Sequence, residues 1–362
     1  MEQQTKKKNP IAAWLSRIFI DGLSGMALGL FSTLIVGTIL EQIGSLLPEA
    51  VGSYIVLIAG MCKALTGAGI GVGVAYKLKE TPLVTLSCAA VGMIGAFASK
   101  LLAGTAWTPG VVTLAGPGEP LGAFIAAVVA IECGRLIAGK TKLDILLVPL
   151  CSILPGAAAG LILGPPISNL MTALGALINW GTMQQPILMG IIVAVIMGIC
   201  LTLPISSAAL CVILGLEGIA AGAAVVGCSA HMVGFAVASY RENKFGGLIA
   251  QGVGTSMLQM PNLVRKPILW LPPVITSAIL GPISTKVLGM VCGPSGAGMG
   301  TSGLVGQIVS YQAMTTAGFF PAVTLIEILI MHVIAPAILT LLISEFMRKK
   351  GWIKYGDLKL DV

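Results

Sequence analysis

Charge is what this sequence has least of. Asp, Glu, Lys and Arg make up only 10% of its 362 residues, and no charged residue or His occurs between Ile145 and Leu216. A second gap runs from Val287 to Ile326. Because about a quarter of the surface of a water-soluble domain is normally charged, these stretches exclude a soluble fold. Each is longer than the roughly 20 apolar residues that cross the hydrocarbon core of a bilayer as a helix.

Cysteine and histidine give no sign of a metal or redox centre. The eight cysteines are scattered through apolar segments without a C-x-x-C pair, and there are only two histidines. Isolated cysteines in such segments usually behave as small buried hydrophobic residues. The sequence therefore predicts no cofactor and no bound metal.

Hydrophobic residues, glycine and proline are abundant instead. Hydrophobic residues account for 56% of the chain, mean hydropathy is +0.98, and there are 47 glycines and 20 prolines. Glycine allows close helix packing in lipid, and proline interrupts spanning helices where neighbours can satisfy the freed carbonyls. This composition predicts an all-α polytopic membrane protein with interrupted helices. The net charge of +7 lies mostly in short loops and tails, so it indicates topology and not nucleic-acid binding.

The positive clusters predict which loops are cytoplasmic, because Lys and Arg are enriched on that side. The clusters lie near Lys6 to Lys8, Lys77 and Lys79, Arg135 to Lys142, Arg241 and Lys244, Arg265 and Lys266, and Arg348 to Lys350. With all of them inside, the chain has about ten transmembrane helices and two re-entrant hairpins, and a loop containing Trp107 and Pro109 lies outside. After the Gly164-Pro165-Pro166 sequence, residues 167–185 are predicted to lie at the outer interface.

This topology divides the chain into three parts. Residues 1–20 are expected to form a cytoplasmic amphipathic segment, residues 21–346 the transmembrane domain, and residues 347–362 a cytoplasmic tail. Both termini are then cytoplasmic in a multi-pass protein of a bacterial cell membrane.

Two segments are predicted to enter the membrane without crossing it. Only twenty residues, 245–264, separate two positive clusters, which is too short for two helical crossings. The segment from Cys292 to Phe320 is left as a second inserted segment, entered from the opposite side.

The two inserted segments share a pattern, G-x-G-T-S-x-L, which begins at Gly252 and again at Gly298. Backbone that is not helical survives at membrane depth only around a wet cavity or inside protein. The glycines permit sharp turns, and the Thr and Ser hydroxyls can cap a helix or bind a solute. We therefore expect a solute site where the two segments meet.

Polar side chains on these segments are the candidate solute ligands. If helix follows the first turn, Gln251, Thr255 and Gln259 share one face. The remaining candidates on the two segments are Ser256, Thr301, Ser302 and Gln307. The alternative is that these side chains only join helices to each other.

Ionisable residues inside predicted spans are further candidates, because charge at the bilayer centre is costly and usually functional. Lys63 lies in the middle of the second predicted span, unless the glycines from Gly67 to Gly73 break that helix and let water in. Glu217 ends the charge-free stretch, and His231 follows fourteen residues later. This pair could bind hydroxyl groups or carry a proton, or could be an interfacial Glu and a core His.

Several stretches of the second half resemble a known family. They are Pro204 to Ser207, Gly227 to Phe235, Tyr240 to Asn243, Gly246 to Gly252 and Gly298 to Gln307. They are similar to the bacterial phosphotransferase-system EIIC-like membrane proteins, also labelled type 2 IIC or perfringolysin-regulator-like. The resemblance implies a homodimeric, sugar-permease-like fold with a scaffold domain and a mobile transport domain. It also implies IIA and IIB phosphotransferase partners on separate chains. Within such an enzyme system, the protein would be at most the membrane permease subunit.

The resemblance bears on Glu217 and His231 as well. In glucose-type permeases a Glu and a His near the hairpin contact the sugar, although the sequence around Glu217 lacks the Thr of the Gly-Ile-Thr-Glu signature. The predicted function is transport of a small polar solute, a sugar or sugar-like compound, by elevator-type movement of a domain holding both inserted segments. One alternative is a membrane regulator that senses a ligand without transporting it. Another is a channel, which would need a continuous pore.

Overall fold

The computed structural model describes residues 10–45, 47–108, 111–114 and 116–360, and nearly all of these residues are helical. The first nine helices are α1 Pro10–Ser16, α2 Leu23–Leu30, α3 Val36–Ser45, α4 Glu49–Ala64, α5 Thr66–Lys77, α6 Pro82–Leu102, α7 Pro120–Ile137, α8 Asp144–Thr182 and α9 Pro186–Thr202. The next nine are α10 Ser207–Ile213, α11 Gly218–Ala238, α12 Tyr240–Ile249, α13 Met260–Arg265, α14 Leu271–Pro282, α15 Pro294–Ala297, α16 Val305–Thr316, α17 Pro321–Leu329 and α18 Ala335–Lys349.

Short π and 3-10 turns extend or interrupt these helices. The π turns are Arg17–Gly22, Phe31–Ile35, Ala250–Gly254, Ile283–Leu288 and Ile330–Ile334, and the 3-10 turns are Ser256–Gln259, Pro267–Trp270 and Ser302–Leu304. Strands β1 Trp107–Thr108 and β2 Val111–Val112 pair antiparallel in the loop before α7. Lys6 to Lys8 and Pro109, which the predicted topology used, lie outside the described residues.

Seven helices of the described chain are long and apolar enough to cross a membrane. They are Ala13–Ser45, Pro82–Leu102, Pro120–Ile137, Asp144–Thr182, Gly218–Ala238, Pro267–Leu288 and Pro321–Lys349. The bent pair α4 and α5 makes an eighth if it is one span, and α9 is apolar but has only 17 residues. The predicted all-α polytopic membrane class is confirmed, with fewer candidate spans than the ten expected.

Helix α8 is longer than expected, with 39 residues and four prolines. The sequence predicted a span that ends at Leu163 and a separate interfacial helix at residues 167–185. The expectation of two separate helices was wrong, because one helix continues through Pro165 and Pro166 to Thr182. Proline removes one backbone N–H and kinks a helix, but neighbouring helices can accommodate the change.

The glycine run after Lys63 is helical and packs on two sides. The break between α4 and α5 comes at Leu65, before the run, and the two helices meet at 51°. Glycines two apart lie on opposite faces of a helix. A Cβ at Gly71 would overlap the carbonyl oxygen of Cys88 in α6, and a Cβ at Gly73 would overlap that of Gly25 in α2. The alternating glycines therefore let α5 pack closely between two neighbours.

The helices form two packed groups. The N-terminal bundle, α2 with α5, α6, α7 and the first part of α8, surrounds a core that includes Ile70, Phe97 and Ile131. The C-terminal bundle joins α9, α11, α14 and α18, and α9 and α11 pack around Met197 and Met232. The two segments with the G-x-G-T-S pattern lie beside the C-terminal bundle, where they contact α11 and the N-terminal helices α2 and α3.

Candidate solute-binding site

The first G-x-G-T-S segment is a chain of short turns. A π turn covers Ala250–Gly254, Thr255 is extended with a φ of −159°, and a 3-10 turn follows from Ser256 to Gln259. The Thr255 hydroxyl accepts a hydrogen bond from the Met257 N–H at 3.2 Å, so this threonine caps the turn as expected. All residues from Gly254 to Met260 are buried.

The second segment turns differently. Gly300, Gly303 and Leu304 have positive φ values of 52°, 53° and 61°. Glycine adopts this left-handed conformation freely, whereas it is uncommon for leucine. Helix α16 then begins at Val305. Thr301 does not cap this turn, because its hydroxyl is directed to the other segment.

The two segments touch. The Thr301 hydroxyl donates to the carbonyl oxygen of Gly252 at 2.5 Å, and both side chains of the Thr-Ser pair in each segment are buried. The expected solute site required the two glycine turns to meet. The structure brings them together although they lie 46 residues apart in the chain.

A small cavity of about 60 Å³ lies beside this contact. Thr255 and Ser302 contribute its polar side from the two segments, and the Ser302 hydroxyl is buried without a hydrogen-bond partner among the described residues. The other lining residues come from both bundles: Leu30, Leu34, Ile35, Pro120, Leu201, Ile205, Ser206, Ser207, Ala208, Met257 and Met299. The cavity is thus a mainly apolar site with a few convergent hydroxyls, which is the usual character of a ligand pocket.

A buried polar chain extends from the first segment to His231. The Ser256 and Thr202 hydroxyls are 2.8 Å apart, and Thr202 is 3.0 Å from Nδ1 of His231. His231 is fully buried beside Trp270, and its Nε2 has no partner among the described residues. Of the ionisable candidates, His231 is the one that the structure connects to the predicted site.

Gln251 and Gln259 contact each other. The Gln259 amide donates to Oε1 of Gln251 at 2.8 Å, and the Gln251 amide donates to the Ser239 hydroxyl at 2.8 Å. Asn262 donates to Oε1 of Gln259 at 2.8 Å. Neither glutamine lines the cavity, so their amides join the segment to its neighbours, as in the alternative that the sequence left open.

Gln307 lies on α16 and contacts the other histidine. Its side-chain nitrogen is 3.1 Å from Nδ1 of His332, which is fully buried in the last span. Each G-x-G-T-S segment therefore leads to one of the two histidines. The sequence analysis did not select His332. The signal for it was a lone His in an apolar span close to the chain end.

Lys63 and Glu217 lie apart from the cavity. Lys63 is at the end of α4, not at the centre of a continuous helix, and pairs with Glu41 at 2.6 Å. Glu217 is exposed at the start of α11, and fourteen residues of helix place it about 21 Å along the axis from His231. The structure does not bring the predicted Glu–His pair together, because one member lies at the helix end and the other in its buried interior.

Glu119 is an acidic residue near the cavity that sequence reasoning missed. It immediately precedes Pro120, the first residue of α7, and its Oε1 is buried without a hydrogen-bond partner among the described residues. Burial raises the pKa of its carboxyl to about 7, although the backbone N–H groups of Ser206 and Leu121 act in the opposite direction. Its signal in the sequence was an acidic residue at the first turn of an apolar span.

One stretch matches the nucleotide-binding pattern G-x-x-x-x-G-K-[ST], from Gly134 to Thr141. A phosphate-binding loop of this type follows a strand and opens a helix. Here Gly134 to Ile137 are the end of α7, and the N–H groups of Gly139 and Thr141 donate to the carboxylate of Asp144 at 2.5 and 3.0 Å. An acidic side chain of the chain itself occupies the donors that a phosphate would need.

Comparison with known protein families identifies the family of this chain. The family model described as phosphotransferase system, EIIC, matches residues 20–360, which include both G-x-G-T-S segments and most of the C-terminal tail. The chain belongs to the phosphotransferase system EIIC family. No curated protein matches the chain significantly. As an EIIC family member, the protein is a multi-pass membrane protein and a sugar-transport permease component.

Proposed function

We propose that this EIIC protein moves a small polar solute, a sugar or sugar-like compound, through the cavity between its two bundles. The supporting observation is the direct contact between the two G-x-G-T-S segments, from Thr301 to Gly252, beside a cavity lined by the Ser302 hydroxyl, which is unpartnered within the described part of the chain. Irregular backbone at membrane depth is stable only where protein or a wet cavity surrounds it. Thr255 and Ser302, which line the cavity, are the proposed direct solute ligands. The proposal also includes Ser256, Thr301 and His231, the buried polar groups next to the cavity, which a solute would reach when the cavity widens.

The size of the cavity supports a moving domain. At about 60 Å³ it is much smaller than ligand pockets, which usually measure about 300–1,000 Å³. The bundles must separate before a sugar can enter. We propose an elevator-type movement of the domain that carries both segments, against a scaffold formed by the N-terminal bundle.

The energy source and the assembly are proposed by analogy with the family. The EIIC family works with IIA and IIB partners in general, and we propose that here they are separate chains that phosphorylate the solute. We further propose a homodimer in the cell membrane with both termini cytoplasmic. The proposal gives indirect roles to the other predicted site residues, because none of them lines the cavity. They are Gln251, Gln259, Gln307, Lys63 and Glu217.

Uptake into proteoliposomes tests the proposal. Radiolabelled sugars, polyols and small organic acids are screened with the full-length protein, and the best substrate is then measured with the Ser302→Ala variant. Loss of one hydrogen bond to the solute should weaken its apparent affinity about three- to tenfold. Ser295→Ala is the matched control, because Ser295 is exposed on the same segment.

The outcomes of the uptake measurement distinguish the proposed site, the regulator and the permease. Uptake that weakens in Ser302→Ala but not in Ser295→Ala supports the proposed site. Equal uptake by both variants would remove Ser302 from the site. Saturable binding of a solute without any flux would favour the ligand-sensing regulator, and no binding or uptake across the whole panel would overturn the permease proposal.

A further inference from the structure

The C-terminal strap, residues 351–360, is folded back onto the protein. Helix α18 ends at Lys349, and the strap then runs along α12 and α13, the elements on either side of the first G-x-G-T-S segment. The sequence predicted a cytoplasmic tail here and indicated no function for it. The contacts of the strap indicate a structural role.

A buried ion pair fixes the start of the strap. Arg348 donates to Oε1 of Glu242 at 2.9 Å, and the side chains are only 8% and 0% exposed. The Gly356 N–H also donates to this carboxylate oxygen, at 3.3 Å. A buried pair that is further hydrogen-bonded is costly to break, because removing one partner leaves a buried charge unpaired.

Side-chain amides hold the end of the strap by its backbone. Asn243 donates to the Leu358 carbonyl oxygen at 2.8 Å and accepts from the Leu360 N–H at 2.9 Å. Asn262 donates to the carbonyl oxygen of Lys359 at 2.9 Å. These paired hydrogen bonds to the backbone resemble those made by an added β-strand. They therefore hold the strap in one register.

Gln259 links the strap to the site. Its side-chain nitrogen donates to the Leu358 carbonyl oxygen at 3.0 Å as well as to Gln251. Gln259 is the last residue of the 3-10 turn that begins at Ser256, the residue connected through Thr202 to His231. The apolar side of the strap contributes Leu360, which packs with Leu258 of the same turn and Ala27 of α2.

We propose that the C-terminal strap positions the first G-x-G-T-S segment, and that Asn243, Gln259 and Asn262 are positioning residues that use it to hold Thr255 and Ser256; the meaning of this for a solute rests on the proposed function. The strap keeps the Ser256–Gln259 turn in the conformation in which the Ser256 hydroxyl reaches Thr202. Release of the strap frees this turn while the second segment, which the strap does not contact through any of these bonds, keeps its structure.

Hydrogen–deuterium exchange of the full-length protein in nanodiscs tests this inference without a solute, so its result is independent of the permease proposal. A variant that ends at Trp352 removes the bonded part of the strap. We expect exchange at residues 255–263 to accelerate at least tenfold, with exchange at residues 298–307 and in α6 unchanged. A synthetic peptide of residues 351–360, added in excess, should restore protection.

Point variants provide a second test in case the truncated protein does not fold. Asn243→Ala removes two strap bonds and should accelerate exchange at residues 255–263 by about threefold or more, whereas Tyr355→Ala, at an exposed strap residue, should not. Acceleration spread equally over the protein would show that the strap is only a general stabiliser. Unchanged exchange at residues 255–263 in both the truncated and the Asn243→Ala proteins would also overturn the inference.

Discussion

At the scale of single residues, the proposed solute site depends on buried polar groups that lack a partner among the residues described. Most buried polar groups in proteins are hydrogen-bonded, so the few that are not indicate a place where a ligand or water completes the bonding. The Ser302 hydroxyl and Nε2 of His231 are such groups, and both lie near the contact between the two segments. Gln251 and Gln259, by contrast, have their amides bonded within the protein.

Glu119 makes stability depend on pH. Burial raises the pKa of its carboxyl from 4.5 to about 7, so between these values the folded protein holds a proton that the unfolded chain has lost. Stability from this group is therefore complete at low pH and falls as pH rises through that interval. The melting temperature of the wild type should drop more between pH 5 and pH 8 than that of Glu119→Gln, which has no ionisable group.

Glu49→Gln is the control for this measurement. Glu49 also lies at the start of a helix, but it is exposed. Its substitution should leave the pH dependence of the wild type intact. If Glu119→Gln shows the same pH dependence as the wild type, another group is responsible for it.

Among the elements, α5 shows how glycine spacing determines packing. Glycines at alternating positions put small residues on two faces of the helix, and α2 and α6 approach these faces closely. The sequence allowed this run to break the helix. In the structure the break lies at Leu65, and the run is a packing surface on both sides.

A substitution at Gly71 tests this packing. An added Cβ would overlap the Cys88 carbonyl oxygen, so Gly71→Ala must push α5 and α6 apart, at a cost of about 1–3 kcal/mol or more. Thermal unfolding of the purified protein should show the loss. Gly60→Ala, where nothing lies within 4 Å of the new Cβ, should be neutral or slightly stabilising. A Gly71→Ala protein as stable as Gly60→Ala would contradict the packing.

For the whole molecule, the proposed function rests on the arrangement of the two bundles around the cavity. Leu34 comes from the N-terminal bundle and Met299 from the second segment, and both line the cavity. The proposed movement requires these residues to separate, because the cavity as it stands is too small for a sugar.

A reversible crosslink tests the movement. Leu34→Cys and Met299→Cys are combined in a protein whose three partly exposed cysteines, Cys62, Cys133 and Cys151, are replaced by Ser. A cleavable thiol crosslinker should abolish uptake of the best substrate, and cleavage should restore it. Each single-cysteine variant, treated in the same way, is the control. Uptake at the full rate in the crosslinked protein would rule out separation of the bundles at this cavity.

The sequence by itself determined the membrane class, the family and the pairing of the two inserted segments. Long charge-free stretches have only one stable environment, and a repeated G-x-G-T-S pattern carries its turn chemistry locally. Both are properties of neighbouring residues. The expectation that this helix ends at Leu163 was wrong for the same reason, since the local proline signal does not include the neighbours that stabilise a continuous helix.

Only the tertiary structure decided which polar residues face the cavity. Gln251 and Gln259 match the spacing of a ligand-binding face, yet a strap about a hundred residues later in the chain bonds to Gln259. His332 of the last span contacts Gln307, and Glu119 lies next to Pro120, which lines the cavity from the start of α7, far away in sequence. Whether a buried polar group is available to a solute depends on what the rest of the chain brings to it, and residue spacing contains no information about such distant partners.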